Sequence, residues 1–375
     1  MKKNNLRTPR RRKSGVKALI ITLIVVLLIA IGFMVTYAIL SRAPEVNTDI
    51  PWSKDTNDNV SVKRDAKAYN FLLVGKDNVA LNTDVMMLIN LNLKNNTVTM
   101  MQLPRDTFIT LNSTPRKLNS VYSIYYNNSN ASDTEGRIRD GMEGLCKVLC
   151  DNLAIQIDYY ANLNLEALGN IVDAIGGVDM YVPYDLKYSD PLQNLYINIR
   201  EGQQTLNGDQ AQQFVRYRSG YIQADIARQD AQKMFITAFI NSFKNKVSIT
   251  NISPIISTIM DNLTHSLSLN DCVYFAKEAY KIDFSNITML SAPGTTYTYN
   301  GTSYVIMQRS ALYNVINTHF NLFDTVIPES SFDKDYNFTL LTNSEINSRY
   351  NSTKEFDGEK NADDINKNGI DILLK

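Results

Sequence analysis

The stretch "FVRYRSGYIQADIARQDAQK", Phe214 to Lys233, gathers Arg216, Arg218, Arg228 and Gln232 with the carboxylate of Asp225 among them. Arg216 and Arg218 alternate by two, so in an extended segment they point the same way. Asp225, Arg228 and Gln232 are spaced by three and four and share one face at the start of a helix, a face that continues at Phe235 and Phe239. Guanidinium forks bind phosphate oxygens two at a time, and a helix N-terminus adds unpaired N–H groups. The chemistry suggested is the holding of a phosphate or pyrophosphate ahead of an aromatic wall. Surface ion pairing is the alternative, and it is the commoner fate of arginines.

A second set lies earlier in the chain. Asp77 follows the apolar run "YNFLLVG", Asp84 precedes "VMMLINL", and Arg105 in "LPRD" follows "VTMMQL". Loops at the ends of neighbouring strands can converge on one site. Paired carboxylates beside phosphate suit magnesium or manganese, since such a cation takes one or two carboxylates plus phosphate oxygens. Lys117 would add a cation to the same region. Each aspartate alone reads equally well as a turn residue.

Composition narrows the chemistry further. His265 and His319 are the only histidines, so a histidine-based zinc site or triad is not expected. Cys146 and Cys150 stand one helical turn apart and Cys272 is remote in sequence, a set that does not read as a disulfide framework. These thiols are expected to be packing residues.

The elements that must position the candidates read as strands interleaved with helices. Tyr69 to Val74 is a short buried strand, and the following two runs form a hairpin through Lys94, Asn95 and Asn96. Asp133 to Asn152 has helical spacing, "IQIDYYANLNL" is a strand, and "EALGNIVDAIGG" is a helix stopped by Gly176 and Gly177. "VDMYVPY" is a strand, Asn207 caps a helix through Gln213, and Ile226 to Lys244 is a long helix apolar on most faces. The expected fold is α/β, a central mixed β-sheet sandwiched between helices.

An N-terminal transmembrane helix is expected ahead of this domain. Residues 1–17 carry 8 basic residues and no acid. Removing those 8 from the 38 basic residues leaves 30 against 38 acidic ones. Ala18 to Leu40 then runs without a charge, and a helix needs about 20 apolar residues to cross a bilayer. The basic flank places the N-terminus in the cytoplasm and the rest outside, as a single-pass protein of the cell membrane. Residues 41–65 read as a juxtamembrane linker, 66–325 as the extracellular domain, and 326–375 as a polar, disordered tail. In that tail Asp364, Asn366, Asn368 and Gly369 match half a calcium loop, but its twelfth position is Lys375 rather than glutamate.

The order "FLLVGKDN", "TDVMMLINLNLKNNTVTMMQLPRDTFI", "KLNSVYSIY", "IDYYANLNLEALGNIVDAIGGVDMYVP", "LNGDQAQQFVRYR", "DIARQDAQ" and "SAPGTTYTYNGTSYVI" resembles the LytR-CpsA-Psr family from about Tyr69 to Phe323. Such a resemblance implies a membrane-anchored phosphotransferase of cell-wall assembly. It would move a teichoic-acid-like or capsule-like glycopolymer from a polyprenyl-pyrophosphate carrier to peptidoglycan through a phosphodiester. Carried over by motif, the metal-binding aspartates are Asp77 and Asp84, and the pyrophosphate-binding set is Arg105, Lys117, Arg216, Arg218 and Arg228 with Gln232. The catalytic set is Asp77, Asp84, Arg105 and Asp225, with Asp84 and Asp225 both open as the base. Phe235 and Phe239 would line a tunnel for the lipid.

Three departures from the family pattern stand out: Asn82 and Ala231, each where the family often has an arginine, and Ala227 in place of the glycine before Arg228. Lys76 and Lys233 are possible replacement cations. These departures favour the alternative reading, a non-catalytic binder or scaffold for polyprenyl-linked intermediates. The 17-residue basic tail is too short for a DNA-binding domain, so no nucleic-acid partner is expected.

Overall fold

A computed structural model describes residues 42–49, 51, 62–76, 81–191, 195–217, 224–248, 252–279, 281–282, 287–299, 301–335 and 337–339, without the side chains of 224–230, 232, 233 and 299. The anchor expected at Ala18 to Leu40 lies outside these residues. Among the described residues no helix is long and apolar enough to cross a membrane.

The sheet grows from an antiparallel meander of β1 (Ala68–Lys76), β2 (Thr83–Asn92) and β3 (Thr97–Leu103). The β2–β3 turn forms where expected. Asn96 takes φ 52°, and the Asn92 side chain accepts from the N–H groups of Lys94 and Asn95. A hairpin, β4 (Phe108–Leu111) and β5 (Thr114–Lys117), leads into α1 (Asn119–Asn127) and α2 (Thr134–Leu153). Asp133 caps α2 by accepting from the Gly136 N–H at 2.7 Å. Next come β6 (Tyr159–Leu163), parallel to β1, and α3 (Leu165–Ala174), which ends at Gly176 and Gly177, both at φ 85°.

A module of nested hairpins follows. In it β7 (Val178–Val182) pairs with β10 (Gly202–Leu206), and β8 (Leu186–Asp190) pairs with β9 (Leu195–Ile199). Then come α4 (Gly208–Arg216), α5 (Ala224–Lys246), α6 (Ile252–Asn262), β11 (Thr264–His265) and α7 (Leu269–Ala279). The chain returns through β12 (Ile287–Ser291), the hairpin β13 (Gly294–Tyr299) and β14 (Thr302–Met307), and α8 (Arg309–His319). The strand order is β11-β6-β1-β2-β3-β12, with β6 and β12 parallel to their inner neighbours, so the sheet is mixed as expected.

Successive strand residues point to opposite faces, and both faces are covered. Leu72, Val74, Met86, Leu88 and Met101 pack with Leu145 and Leu149 of α2 and Leu312 and Ile316 of α8. Met87 and Met100 face the other way with Ile236 and Ile240 of α5. The opposite side of α5 sends Ala231 and Phe235 into a second core under the nested hairpins. Contact on two sides explains why this helix is apolar on most faces.

Close helix contact is set by glycine. A Cβ on Gly144 of α2 would sit inside the Tyr125 ring of α1, and one on Gly141 would come within 2.8 Å of the Tyr122 ring. Gly144→Ala gains about 1 kcal/mol of helix propensity but forces the helices apart, at a cost of about 1–3 kcal/mol. The urea midpoint is expected to fall. An unchanged midpoint would show that α1 is free to shift.

The domain extends past both expected boundaries. Arg64, placed in the linker, is 5% exposed and ion-paired with Asp158. Ile327, Phe332 and Phe338, placed in the polar tail, belong to the main core, and Thr339 bridges to Met307. Cys146 and Cys150 are free thiols, half-buried; burial pushes both pKa values up, Cys150 to about 11.

Candidate active site

Asp84 stands at the start of β2, beside a register shift in the pairing of β1 with β2 at Gly75 and Lys76. Arg105 Nη1 donates to Asp84 Oδ1 at 2.9 Å. Arg105 Nε lies 3.8 Å from Asp106 Oδ2, and Lys117 Nζ lies 2.8 Å from Asp106 Oδ1. The result is a row of alternating charge, Asp84–Arg105–Asp106–Lys117. Each of the four side chains is about a third exposed, at 27–33%.

The backbone holds this row from two sides. The loop after β3 closes with Thr107 N–H to Pro104 O at 3.0 Å. The Asn119 N–H of α1 donates to Arg105 O, and the Val305 N–H of β14 donates to Asp106 O. Lys117 Nζ lies 5.8 Å from the centre of the Tyr304 ring, also on β14. Partly exposed ion pairs contribute only about 0–1 kcal/mol each. Their effect is to aim donors. Asp84 Oδ2 has no partner among the described residues, and most of the Arg105 guanidinium N–H groups remain open to a ligand.

Asp106 was not singled out by sequence, although it follows Arg105 directly in "LPRD". Its role emerges only when β5 brings Lys117 alongside. The aromatic seat of Lys76 was also not visible. The Lys76 ammonium lies 5.6 Å from the Tyr122 ring centre and 6.0 Å from that of Tyr126. Asn82 Oδ1 accepts from Ser123 Oγ at 3.4 Å, tying the β1–β2 loop to α1.

Burial holds the Lys76 pKa below its ordinary 10.5. The charged form is therefore lost earlier as pH rises than in an ordinary lysine. Inorganic pyrophosphate should bind progressively more weakly on the alkaline side as Lys76 deprotonates. Lys76→Arg should flatten that limb in a calorimetric titration. Parallel pH profiles would remove Lys76 from the anion site.

The second set is only partly described. Arg216 is the last residue of α4, and Tyr217 after it is extended, so Arg216 does not lie in an extended run with Arg218 as expected. The helix runs on because Phe214 buries its ring and carries the last turn into the core. The Arg216 side chain makes no hydrogen bond or ion pair among the described residues. Asp77 and Arg218 lie outside the described residues, as do the side chains of Asp225, Arg228, Gln232 and Lys233. The α5 backbone begins at Ala224, which puts positions 225, 228 and 232 in its first turns. Phe235 is 4% exposed and stacks on Phe214 at 6.1 Å, while Phe239 is half-buried beside it at 6.5 Å.

A model of the LytR_cpsA_psr family matches residues 34–321. Over 319 residues the chain is 25% identical to the polyisoprenyl-teichoic acid–peptidoglycan teichoic acid transferase TagU of Bacillus subtilis, covering 83% of this chain and 97% of that protein. The fold is similar to protein gbs0355 of Streptococcus agalactiae, with TM-score 0.57 and 24% identity over 67% of this chain and 86% of that one. It is also similar to B. subtilis TagV, with TM-score 0.56 and 23% identity over 67% of this chain and 95% of that one. At these identities the structural likeness concerns the fold alone.

Proposed function

This chain belongs to the LytR-CpsA-Psr family, and from that premise we propose that it moves a glycopolymer from a polyprenyl-pyrophosphate carrier to peptidoglycan. The names of the matched B. subtilis transferases support the reaction class. The observation that carries the reading is the row Asp84–Arg105–Asp106–Lys117, whose cations are aimed by carboxylates and keep donors open.

In the proposed step an acceptor sugar hydroxyl attacks the phosphorus nearer the glycopolymer. A new P–O bond forms, the P–O bond to the bridging oxygen breaks, and polyprenyl phosphate leaves with the electron pair. The hydroxyl proton passes to a carboxylate, Asp84 or Asp225. Arg105 and Lys117 stabilise the charge that builds on the equatorial and leaving oxygens. Arg216, Arg218 and Arg228 with Gln232 hold the pyrophosphate, and the lipid runs along the α5 wall past Phe239 and Phe235.

The residues suit a magnesium or manganese ion, because Asp84 keeps one carboxylate oxygen uncommitted among the described residues and Asp77 directly follows Lys76, which pairs with Thr83 at the start of β2. Bound there by Asp84 and Asp77, such an ion would supply charge neutralisation at the phosphate oxygens. We also place the working domain outside the cell, anchored by Ala18 to Leu40.

Release of polyprenyl phosphate from a synthetic glycosyl polyprenyl-pyrophosphate tests the reading. Release is expected to need a divalent cation and to fall at least about a hundredfold in Asp84→Ala. Release that persists with chelator and in Asp84→Ala would remove the metal. Donor binding with no release under any condition would return the chain to a scaffold.

A further inference from the structure

The module of nested hairpins leaves an unusual number of tyrosines in solvent. Tyr196 on β9 is 57% exposed and Tyr181 on β7 is 53% exposed, with Tyr184 and Tyr188 also exposed on the same module. Tyr196 borders an open cleft of about 240 Å³ between β9 and α4, lined further by Leu195, Asp209, Gln212, Gln213 and Arg216. The cleft is built rather than incidental, because the Asn198 N–H of β9 donates to Gln213 Oε1 at 3.1 Å and fixes strand against helix. The side chains of Tyr196, Asp209 and Arg216 make no hydrogen bond or ion pair among the described residues, so their polar atoms remain available. Asp209 and Arg216 line one cleft without pairing with each other.

This mixture has a chemical preference. An exposed aromatic ring offers a negative face to the weakly positive C–H groups of a sugar ring. A carboxylate accepts from hydroxyls, while glutamine amides both donate and accept, matching groups that do both. A lipid would find too little apolar surface here. The volume is below the about 300–1,000 Å³ usual for an enclosed small-molecule pocket, which suits one or two rings of a polymer lying along the surface.

We propose that this cleft is the acceptor subsite, taking N-acetylhexosamine residues of a neutral glycan strand with one ring stacked on Tyr196. Asp209, Gln212 and Gln213 hydrogen-bond its hydroxyl and acetamido groups. Arg216 forms the end of the cleft, and this assignment rests on the transferase reading, in which Arg216 also holds the donor phosphate. The acceptor hydroxyl is thereby delivered beside the phosphorus it attacks, so one guanidinium is shared between donor and acceptor sites.

The test titrates chitotetraose, a tetramer of N-acetylglucosamine, into the full chain in lipid nanodiscs, alongside donor turnover on the same preparations. Tyr196→Ala is expected to weaken chitotetraose about tenfold, equivalent to about 1.4 kcal/mol, and Tyr196→Phe to stay within about twofold because the ring is kept. Tyr181→Ala, outside the cleft, should bind as wild type. Tyr196 is exposed, so its replacement leaves the core intact. No binding by wild type, equal binding by Tyr196→Ala, or an equal loss in Tyr181→Ala would each overturn the subsite. Polyprenyl phosphate release with no Tyr196-dependent sugar binding would reject the subsite alone, whereas Tyr196-dependent binding without release would reject the transferase reading and with it the acceptor role, leaving only a sugar-binding cleft.

Discussion

Arg105→Ala is expected to lower glycopolymer transfer by at least about a hundredfold, the usual loss when one preorganised donor to developing charge is removed. Arg105 sits between Asp84 and Asp106, and its backbone carbonyl is fixed by the Asn119 N–H. In the proposed step it would therefore meet the phosphate already aimed, without reorganising during the reaction. Arg105→Lys should be nearly as damaging, because an ammonium cannot bond Asp84 and a phosphate in the plane of one fork. Stability should hardly move, since the two ion pairs are partly exposed and worth about 0–1 kcal/mol each. Polyprenyl phosphate release measured beside a thermal melt separates the two effects. Wild-type release in Arg105→Ala would sink the assignment, and a collapsed melt would make Arg105 structural instead.

The largest effect on stability is expected at Arg64. Its Nη2 donates to Asp158 Oδ2 at 2.9 Å and to Ala68 O at 3.2 Å, and its Nη1 donates to Asn47 O at 2.7 Å. Asp158 also accepts from the Asn70 N–H at 2.9 Å. Arg64→Ala strands a buried carboxylate, a change that typically costs about 3–5 kcal/mol. Burial already raises the Asp158 pKa above its ordinary 3.8 against the opposing pull of Arg64. Without the guanidinium it should rise further. A raised folded-state pKa means that stability returns as pH falls through it, when the carboxyl becomes neutral. Urea unfolding of Arg64→Ala should therefore recover part of its loss on mild acidification. A loss below about 1 kcal/mol would show the pair to be dispensable.

Local patterns in the sequence located what depends on local rules. Asp133 and Asn207 cap helices, Gly176 and Gly177 end one, and the alternating apolar runs became the central sheet. What sequence did not show depends on partners distant in the chain. Arg64 looks like a linker residue until Asp158, 94 positions away, is brought to it. Ile327, Phe332 and Phe338 are isolated apolar residues among polar ones, with no periodicity to mark them, yet they close the main core. Within the site, Asp84 and Arg105 were legible because each borders a strand. Asp106 was not, since only the β4–β5 hairpin reveals its pairing with Lys117. The position of Arg216 turned on where α4 ends, a boundary that spacing places only to within a residue or two.

The closure of the core by the end of the chain has a consequence in time. The buried Asn70 side chain donates to Phe320 O across 250 positions, and the Asp65 N–H donates to Leu322 O. The meander β1–β2–β3 is made early, but it cannot be covered on its α8 face until residues near Phe338 have been synthesised. At about 5–20 residues per second the part of this face that α8 covers waits roughly 10–60 s, with α2 against the sheet in the meantime. Contacts of such long sequence separation also slow folding itself. Completion of the main core therefore waits for the last described segment of the chain.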